Sequence, residues 1–190
     1  MMALSDMANV IIAITSIIAI FLAVFTFWRQ MEQSRTFLGI QILREWESHF
    51  FYSEDMRNRR YIACKYLEGK SPEEIQYEDI PAEAWEILDS FDSIGIYVNR
   101  RVVDPELAWD TFYYFLNIYW HVLAPHRDAL QTEHGGTQYL NDIDGMYEKL
   151  TAYGVARRNL QGVDERCSPY RIARFIEEEL RATTRRAPSG

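Results

Sequence analysis

The feature that most constrains this chain is an uncharged segment near its N-terminus. Residues 7–28 contain no Asp, Glu, Lys or Arg, and as an α-helix they would extend about 33 Å, close to the roughly 30 Å hydrocarbon core of a bilayer. Their twelve large apolar side chains favour insertion by roughly 4 to 7 kcal/mol as an upper bound. A buried helix of a soluble core would carry a polar stripe, which this segment lacks. The segment therefore predicts a transmembrane helix.

The ends of this segment fit an uncleaved anchor. Trp28 and Arg29 follow it directly, as an aromatic ring and a snorkelling cation do at a membrane interface. No base precedes the segment and no small-residue cleavage motif ends it, so a secretory signal peptide is disfavoured. Thr15, Ala19 and Ala23 repeat every four residues, a spacing that lets membrane helices approach closely. Self-association and a chance repeat in an alanine-rich segment both remain open.

Charge and cysteine usage predict the orientation. Three arginines follow the segment and no base precedes it: Arg29, Arg35 and Arg44. The positive-inside rule then places the C-terminal part in the cytoplasm and the N-terminus outside, in a single-pass protein of the inner membrane. Cys64 and Cys167 are the only cysteines and form no C-x-x-C motif, which suits a reducing compartment.

The rest of the chain predicts one all-α domain. Its apolar residues recur at three- and four-residue spacing, with no alternating strand pattern of useful length. We therefore expect one N-terminal transmembrane helix followed by a cytoplasmic helical bundle. The predicted divisions are a short extracytoplasmic N-terminus (1–6), the transmembrane helix (7–28), the helical domain (29–180) and a disordered tail (181–190).

Local signals predict where the helices begin and end. Helix starts are expected at polar caps and prolines, namely Ser53, Ser71, Pro81, Asp104 and Ser168. Helix ends are expected at His49, Gly69, Pro125 and near Gly154. The helix after Asp104 is crowded with aromatic residues nearly all round, which predicts a central, buried position. Its aromatic residues fit plain core packing or a ligand pocket.

No residue pattern indicates catalysis, a metal or a cofactor. The chain has no P-loop, G-x-G-x-x-G, H-E-x-x-H or G-x-S-x-G motif. Its four histidines do not have the spacing of converging metal ligands. A formal net charge of −8 argues against nucleic acid as a partner. We therefore expect no catalytic, metal-binding or cofactor-binding residues.

The charged residues suggest a docking surface. Residues 71–99 contain eight acids and no base. They are interpreted either as a solvated face paired with the chain's own arginines or as an acidic surface that docks a partner. Arg100 and Arg101 follow in a short turn, and Trp120 and Arg127 mark the end of the aromatic helix, as a partner-binding lip or a packed corner. The candidate docking residues are Glu73, Glu74, Glu78, Asp79, Arg100, Arg101, Trp120 and Arg127.

Several short segments resemble one family. They are LREW (43–46), SEDMR (53–57), FDSIG (91–95), VNRRVVD (98–104), YW (119–120) and PHR (125–127). In this order they resemble an uncharacterised bacterial family, domain of unknown function 4760, over about residues 30–153. The resemblance implies a membrane-anchored helical protein. It supplies no catalytic residues.

These observations together predict a single-pass, membrane-anchored cytoplasmic helical module that acts by protein–protein interaction, as a scaffold or regulator, without catalysis. Its expected partners are the lipid bilayer and a protein or larger membrane complex. The alternatives are a ligand-sensing or unrecognised enzymatic bundle, or an accessory subunit of a larger membrane complex.

Overall fold

The computed structural model describes residues 4–70, 74, 79–133, 140–158 and 168–184. Within these residues the regular secondary structure is entirely helical, which confirms the all-α prediction. The elements are α1 (Leu4–Glu47), a π-helix (Ser48–Tyr52), α2 (Glu54–Leu67), α3 (Ala82–Asn99), α4 (Pro105–Val122), α5 (Ala124–Glu133), α6 (Asn141–Arg158) and α7 (Pro169–Thr184). The chain divides into two compact units, Met1–Leu38 and Gly39–Gly190.

The first unit contains the apolar part of α1. Every residue from 12 to 38 is exposed. The hydroxyls of Ser16 and Thr26 donate to the carbonyls of Ile12 and Leu22, at 2.8 and 2.7 Å, so these polar groups are satisfied within the helix. Among the described residues this is the one helix long and apolar enough to cross a membrane, with a mean hydropathy of 2.0 in its most apolar stretch.

The second unit is built around a cluster of aromatic rings. Trp46, near the end of α1, stacks on Phe50 of the π-helix with ring centroids 4.6 Å apart. It also contacts Phe91 of α3 at 5.3 Å and Phe112 of α4 at 4.8 Å. Its indole Nε1 donates to the carbonyl of Ser90 at 2.9 Å. Such ring pairs add about 0.5–1.5 kcal/mol each to the hydrophobic burial, so these aromatic residues form core.

Helices α3 and α6 cross at very close range. A Cβ on Gly95 would lie 2.6 Å from the carbonyl oxygen of Asp142, so only glycine permits this approach. The amide Nδ2 of Asn99 donates to the backbone oxygen of Asp142 at 2.8 Å. The carboxylate of Asp92 accepts from the backbone N–H of Ile143 at 2.9 Å. Asp92 therefore satisfies a free N–H in the first turn of α6 from a neighbouring helix.

The predicted helix starts are largely confirmed. The side chains of Ser53 and Asp104 accept hydrogen bonds from backbone N–H groups in the first turns of α2 and α4, at 3.2 and 2.8 Å. Helix α3 begins directly after Pro81, and α7 begins directly after Ser168. The predicted capping box at 71–74 has residues 71–73 outside the described part of the chain.

Some predicted ends differ from the structure. The α-helix ends at Glu47, and a π-helical turn replaces the expected continuation through His49. Helix α6 continues past the buried Gly154 to Arg158, since a single glycine costs a helix only about 1 kcal/mol. Helix α7 extends to Thr184, so residues 181–184, which the sequence placed in the tail, are helical.

The aromatic helix α4 is less completely buried than its composition suggested. Phe112, Tyr113 and Tyr119 are buried, whereas Tyr114 is 49% exposed. Leu123 ends the helix before Pro125, and α5 begins immediately afterwards. The proline thus lies in the first turn of a new helix, where its missing N–H costs least.

Candidate functional site

Trp120 and Arg127 come together where α4 gives way to α5. The guanidinium of Arg127 lies 3.8 Å from the centroid of the Trp120 ring, in a cation–π contact. Trp120 also stacks on Tyr147 of α6, with ring centroids 4.8 Å apart and ring planes 13° apart. Arg127 also pairs with Asp128 at 3.0 Å and lies 4.0 Å from Asp144. The two predicted residues therefore join α4, α5 and α6.

A hydrogen-bonded group lies beside this stack. The phenol of Tyr147 donates to the side-chain oxygen of Asn117 at 3.0 Å and lies 2.9 Å from Nε2 of His121. Tyr113 continues the aromatic row, with its hydroxyl 3.0 Å from Oγ1 of Thr151. Stacked rings with satisfied polar ends are what a packed corner requires. The contacts favour the packed corner over the partner-binding lip.

The other predicted arginines lie at the opposite end of α4. Arg100 and Arg101 are exposed in the turn after α3, and their backbone N–H groups donate to the carbonyls of Ile96 and Val98, each at 3.1 Å. Arg101 has φ 56°, in the left-handed region. Trp120 lies about 22 Å further along the axis of α4. The structure thus separates the arginine turn from the Trp120 corner.

The acidic segment contains exposed acids and acids that make contacts within the protein. Of the four acids proposed for docking, Glu74 and Asp79 are described and exposed. Glu73 and Glu78 lie outside the described residues. Further along the segment, Glu86 forms an ion pair with Arg59 of α2. Asp92 caps α6, and burial raises the pKa of its carboxyl although the N–H of Ile143 opposes this. Part of the negative charge therefore serves internal packing.

The residues predicted for the membrane lie along the exposed part of α1. Trp28 is 63% exposed, and Arg29 beside it is exposed as well. Thr15, Ala19 and Ala23 are also exposed. Because a turn of helix is 3.6 residues, these three lie on one side of α1, about 6 Å apart along the axis. The predicted interface pair and the predicted small-residue repeat are therefore both exposed on α1.

A buried polar cluster formed by α2, α4 and α7 is not predicted by the sequence pattern. Arg60 and Glu179 are 4% and 6% exposed, and Nη1 of the arginine lies 3.3 Å from Oε2 of the glutamate. One turn after Arg60, Sγ of Cys64 lies 3.5 Å from the hydroxyl of Tyr119. The sequence signal for this cluster is Glu179, because it is an acid on the apolar side of the strongly amphipathic helix α7.

Burial sets the protonation of this cluster. It raises the pKa of the Cys64 thiol to about 12, against a smaller opposing effect of the hydrogen bond with Tyr119. It also raises the pKa of Glu179, which the charge of Arg60 partly offsets, and raises that of Tyr119 well above its ordinary value. A thiol that stays protonated at neutral pH is a poor nucleophile, so Cys64 is suited to packing.

Two open depressions lie on the surface of the second unit. The larger, about 500 Å³, is lined by Asp104, Pro105, Glu106, Tyr153 and Arg157. The other, about 390 Å³, lies beside the π-helix and is lined by Glu45, Ser48, His49, Tyr52 and Ser53. Within the described residues no group of three or more His, Cys, Asp or Glu side chains could hold a metal ion.

A comparison with known protein families identifies a match. A family model described as "Domain of unknown function (DUF4760)" matches residues 13–150. The match begins inside the apolar part of α1 and ends within α6, so α7 lies beyond it. No curated protein and no solved structure matches the chain.

Proposed function

The chain belongs to the DUF4760 family, and we propose that it is a single-pass membrane protein whose helical domain acts in the cytoplasm by binding other proteins, as a scaffold or regulator. The observation that carries the proposal is the exposed apolar surface of α1. Its expected partners are the lipid bilayer and a protein, and the proposal assigns no catalysis to the chain.

The exposed apolar side chains of α1 are unfavourable in water. Ten large aliphatic and aromatic side chains between residues 12 and 27 are each more than half exposed. On the scale of insertion into a bilayer, each such side chain near the helix centre contributes about 0.3–0.6 kcal/mol, so the ten together favour insertion by about 3–6 kcal/mol. A helix of this length and hydropathy gains that free energy by crossing a bilayer.

The proposed orientation rests on the arginines that follow this stretch. Arg29, Arg35 and Arg44 are all exposed on α1, and no base precedes the apolar segment in the chain. A bias of this kind keeps the basic side in the cytoplasm. The second unit then works at the inner surface of the membrane.

The second unit favours binding over chemistry. Its most nucleophilic described group, the thiol of Cys64, is buried and protonated. Its exposed side chains include aromatic residues of the kind enriched in protein interfaces, such as Tyr52 at 61% and Tyr170 at 73%. The exposed acids Glu74 and Asp79 and the exposed Arg100 and Arg101 provide charge for selecting a partner.

Membrane extraction tests the anchor. Replacing Ile18 and Phe21 with Arg adds about 2.5–3.5 kcal/mol for each charge near the centre of the helix, which cancels the predicted insertion free energy. We expect the double variant to leave the membrane fraction in alkaline carbonate, while the wild-type chain stays. Phe37→Arg is the matched control, because Phe37 is exposed on the same helix outside the predicted segment. Carbonate release of the wild-type chain would contradict the anchor.

Topology is tested separately by cysteine labelling. In a variant in which Cys64 and Cys167 are replaced with Ser, a cysteine introduced at Ser5 should react with a membrane-impermeant maleimide in intact cells. A cysteine introduced at Ser189 should react only after the cells are opened. The reverse pattern would contradict the cytoplasmic location.

A pull-down from solubilised membranes tests the docking surface. The bait is the full chain with its four candidate acids replaced by the corresponding amides: Glu73, Glu74, Glu78 and Asp79. We expect proteins captured by the wild-type bait to be lost with this variant. They should be retained when four acids elsewhere are neutralised instead: Glu54, Glu106, Glu148 and Glu177. Equal capture by both variants would exclude these acids as the docking surface.

A further inference from the structure

Helix α7 packs on the other helices of the second unit as an amphipathic helix packs in a groove. Its buried residues recur at intervals of three and four: Ile172, Phe175, Ile176, Glu179 and Thr183. Most residues between them, including Arg174 and Glu178, are exposed, and Leu180 is half-buried. A single buried stripe of this spacing is the pattern by which helical ligands bind grooves in other proteins.

The walls of this groove are aromatic. The ring of Phe175 meets three rings of α4 edge to face: Tyr114 at 5.7 Å, Phe115 at 5.6 Å and Tyr119 at 5.3 Å between centroids. Edge-to-face contacts on three rings form a pocket shaped for one aromatic side chain. Phe175 is therefore the apolar anchor of α7.

A buried cation adds selectivity for an acid. The guanidinium of Arg60 lies 5.1 Å from the ring of Phe50 and 5.4 Å from that of Phe51, so aromatic contacts outside α7 help to hold it in place. Against it lies the carboxylate of Glu179, one turn after Phe175, at 3.3 Å. Burial raises the pKa of this carboxyl, and the charge of Arg60 partly offsets the rise, because removal from water disfavours the charged form.

We propose that the face of α2 and α4 is a binding groove for an amphipathic helix carrying an aliphatic residue, a Phe three positions later and a Glu four positions after that, and that α7 occupies it in competition with such a helix from a partner protein. The proposal rests on the proposed interaction function and names its surface. Both walls of the groove lie within the residues that match the family model, whereas α7 lies beyond them. A buried ion pair adds little net stability compared with apolar residues of the same volume, which suits an exchangeable helix.

Charge reversal tests the groove in the full-length chain in detergent. Glu179→Arg places a second cation against Arg60 and should release α7. A fluorescent peptide of residues 168–184 is the probe, followed by anisotropy. We expect it to bind this variant at least tenfold more tightly than the wild-type chain, whose groove is occupied. Glu178→Arg is the matched control, because Glu178 is exposed; this variant should behave as wild type.

A reciprocal exchange identifies the ion pair as the selective contact. The Arg60→Glu chain should bind a peptide that carries Glu179→Arg and reject the wild-type peptide. Failure of both charge-reversed chains to bind their matching peptides would overturn the proposal. This outcome would leave the pull-down and extraction results untouched, so failure of the groove is distinguishable from failure of the proposed function.

Hydrogen exchange on the wild-type chain is a second measurement, and it does not depend on whether a variant folds. If α7 is exchangeable, its amides should exchange at least a hundredfold faster than those of α2 and α4, because the helix opens without the rest of the unit. Equal protection of α7, α2 and α4 would show that α7 is an integral part of the core, and would overturn the proposal.

Discussion

Replacing Gly95 with Ala tests whether the crossing of α3 and α6 depends on a missing side chain. The new Cβ would lie 2.6 Å from the carbonyl oxygen of Asp142, about 0.8 Å inside ordinary contact. Overpacking of this kind costs about 1–3 kcal/mol, occasionally more. Separation of the helices would also weaken the hydrogen bonds that Asn99 and Asp92 make to α6, worth about 0.5–1.5 kcal/mol each. The helix propensity of alanine returns about 1 kcal/mol, so the midpoints of these ranges leave a net loss of about 3 kcal/mol.

Thermal unfolding of the full chain in detergent, followed by far-UV circular dichroism, measures this loss. For a chain of this size each kcal/mol shifts Tm by roughly 2–4 °C, so Gly95→Ala should lower Tm by about 6–12 °C. Gly145→Ala is the matched control, because the atoms nearest to its Cβ would belong to the side chain of Asn99, at 3.1 Å or more, and not to the backbone. Its Tm should change by less than half as much. A Gly95→Ala chain as stable as the wild type would refute the account of the crossing.

In a Cys167→Ser background, alkylation of Cys64 at pH 8 should be roughly a thousandfold slower in the folded than in the unfolded chain, because a pKa of about 12 leaves little thiolate; rapid labelling of the folded chain would contradict this. The folded state keeps that thiol protonated to a higher pH than the unfolded state does. The free energy of unfolding should therefore fall as the pH rises above about 9. Asp104→Ala should cost about 1 kcal/mol in chemical denaturation through loss of the α4 cap, whereas Asp104→Asn should cost less. Arg127→Ala should remove the contact over Trp120, lower stability by about 0.5–2 kcal/mol and alter tryptophan fluorescence; an unchanged emission spectrum would count against that stack.

The features that sequence predicted well are those encoded within a few residues. Ser53 and Asp104 accept hydrogen bonds from backbone groups two or three residues away, so their sequence neighbours suffice to identify them. The same locality explains Pro81, which precedes α3. It also explains the errors, since Gly154 is a plausible helix end by its neighbours alone but is buried within α6.

The candidate site shows the limit of this locality. Trp120 and Arg127 were selected as neighbours of a helix end, but their role depends on Tyr147, which α6 brings onto the ring. Arg60 and Glu179 are far apart in the chain, and in each helix the charge could equally have faced solvent. Only the docking of α7 turns the two residues into a buried pair.

The sequence by itself determined that the chain is all-α and carries one apolar helix with the length to cross a bilayer. Both follow from composition and periodicity, which act within single helices. Tertiary structure decided which charges are buried, which glycines permit close crossings and which face receives α7. These depend on contacts between helices whose partners the local pattern does not specify, because burial and pairing are set jointly by residues from separate parts of the chain.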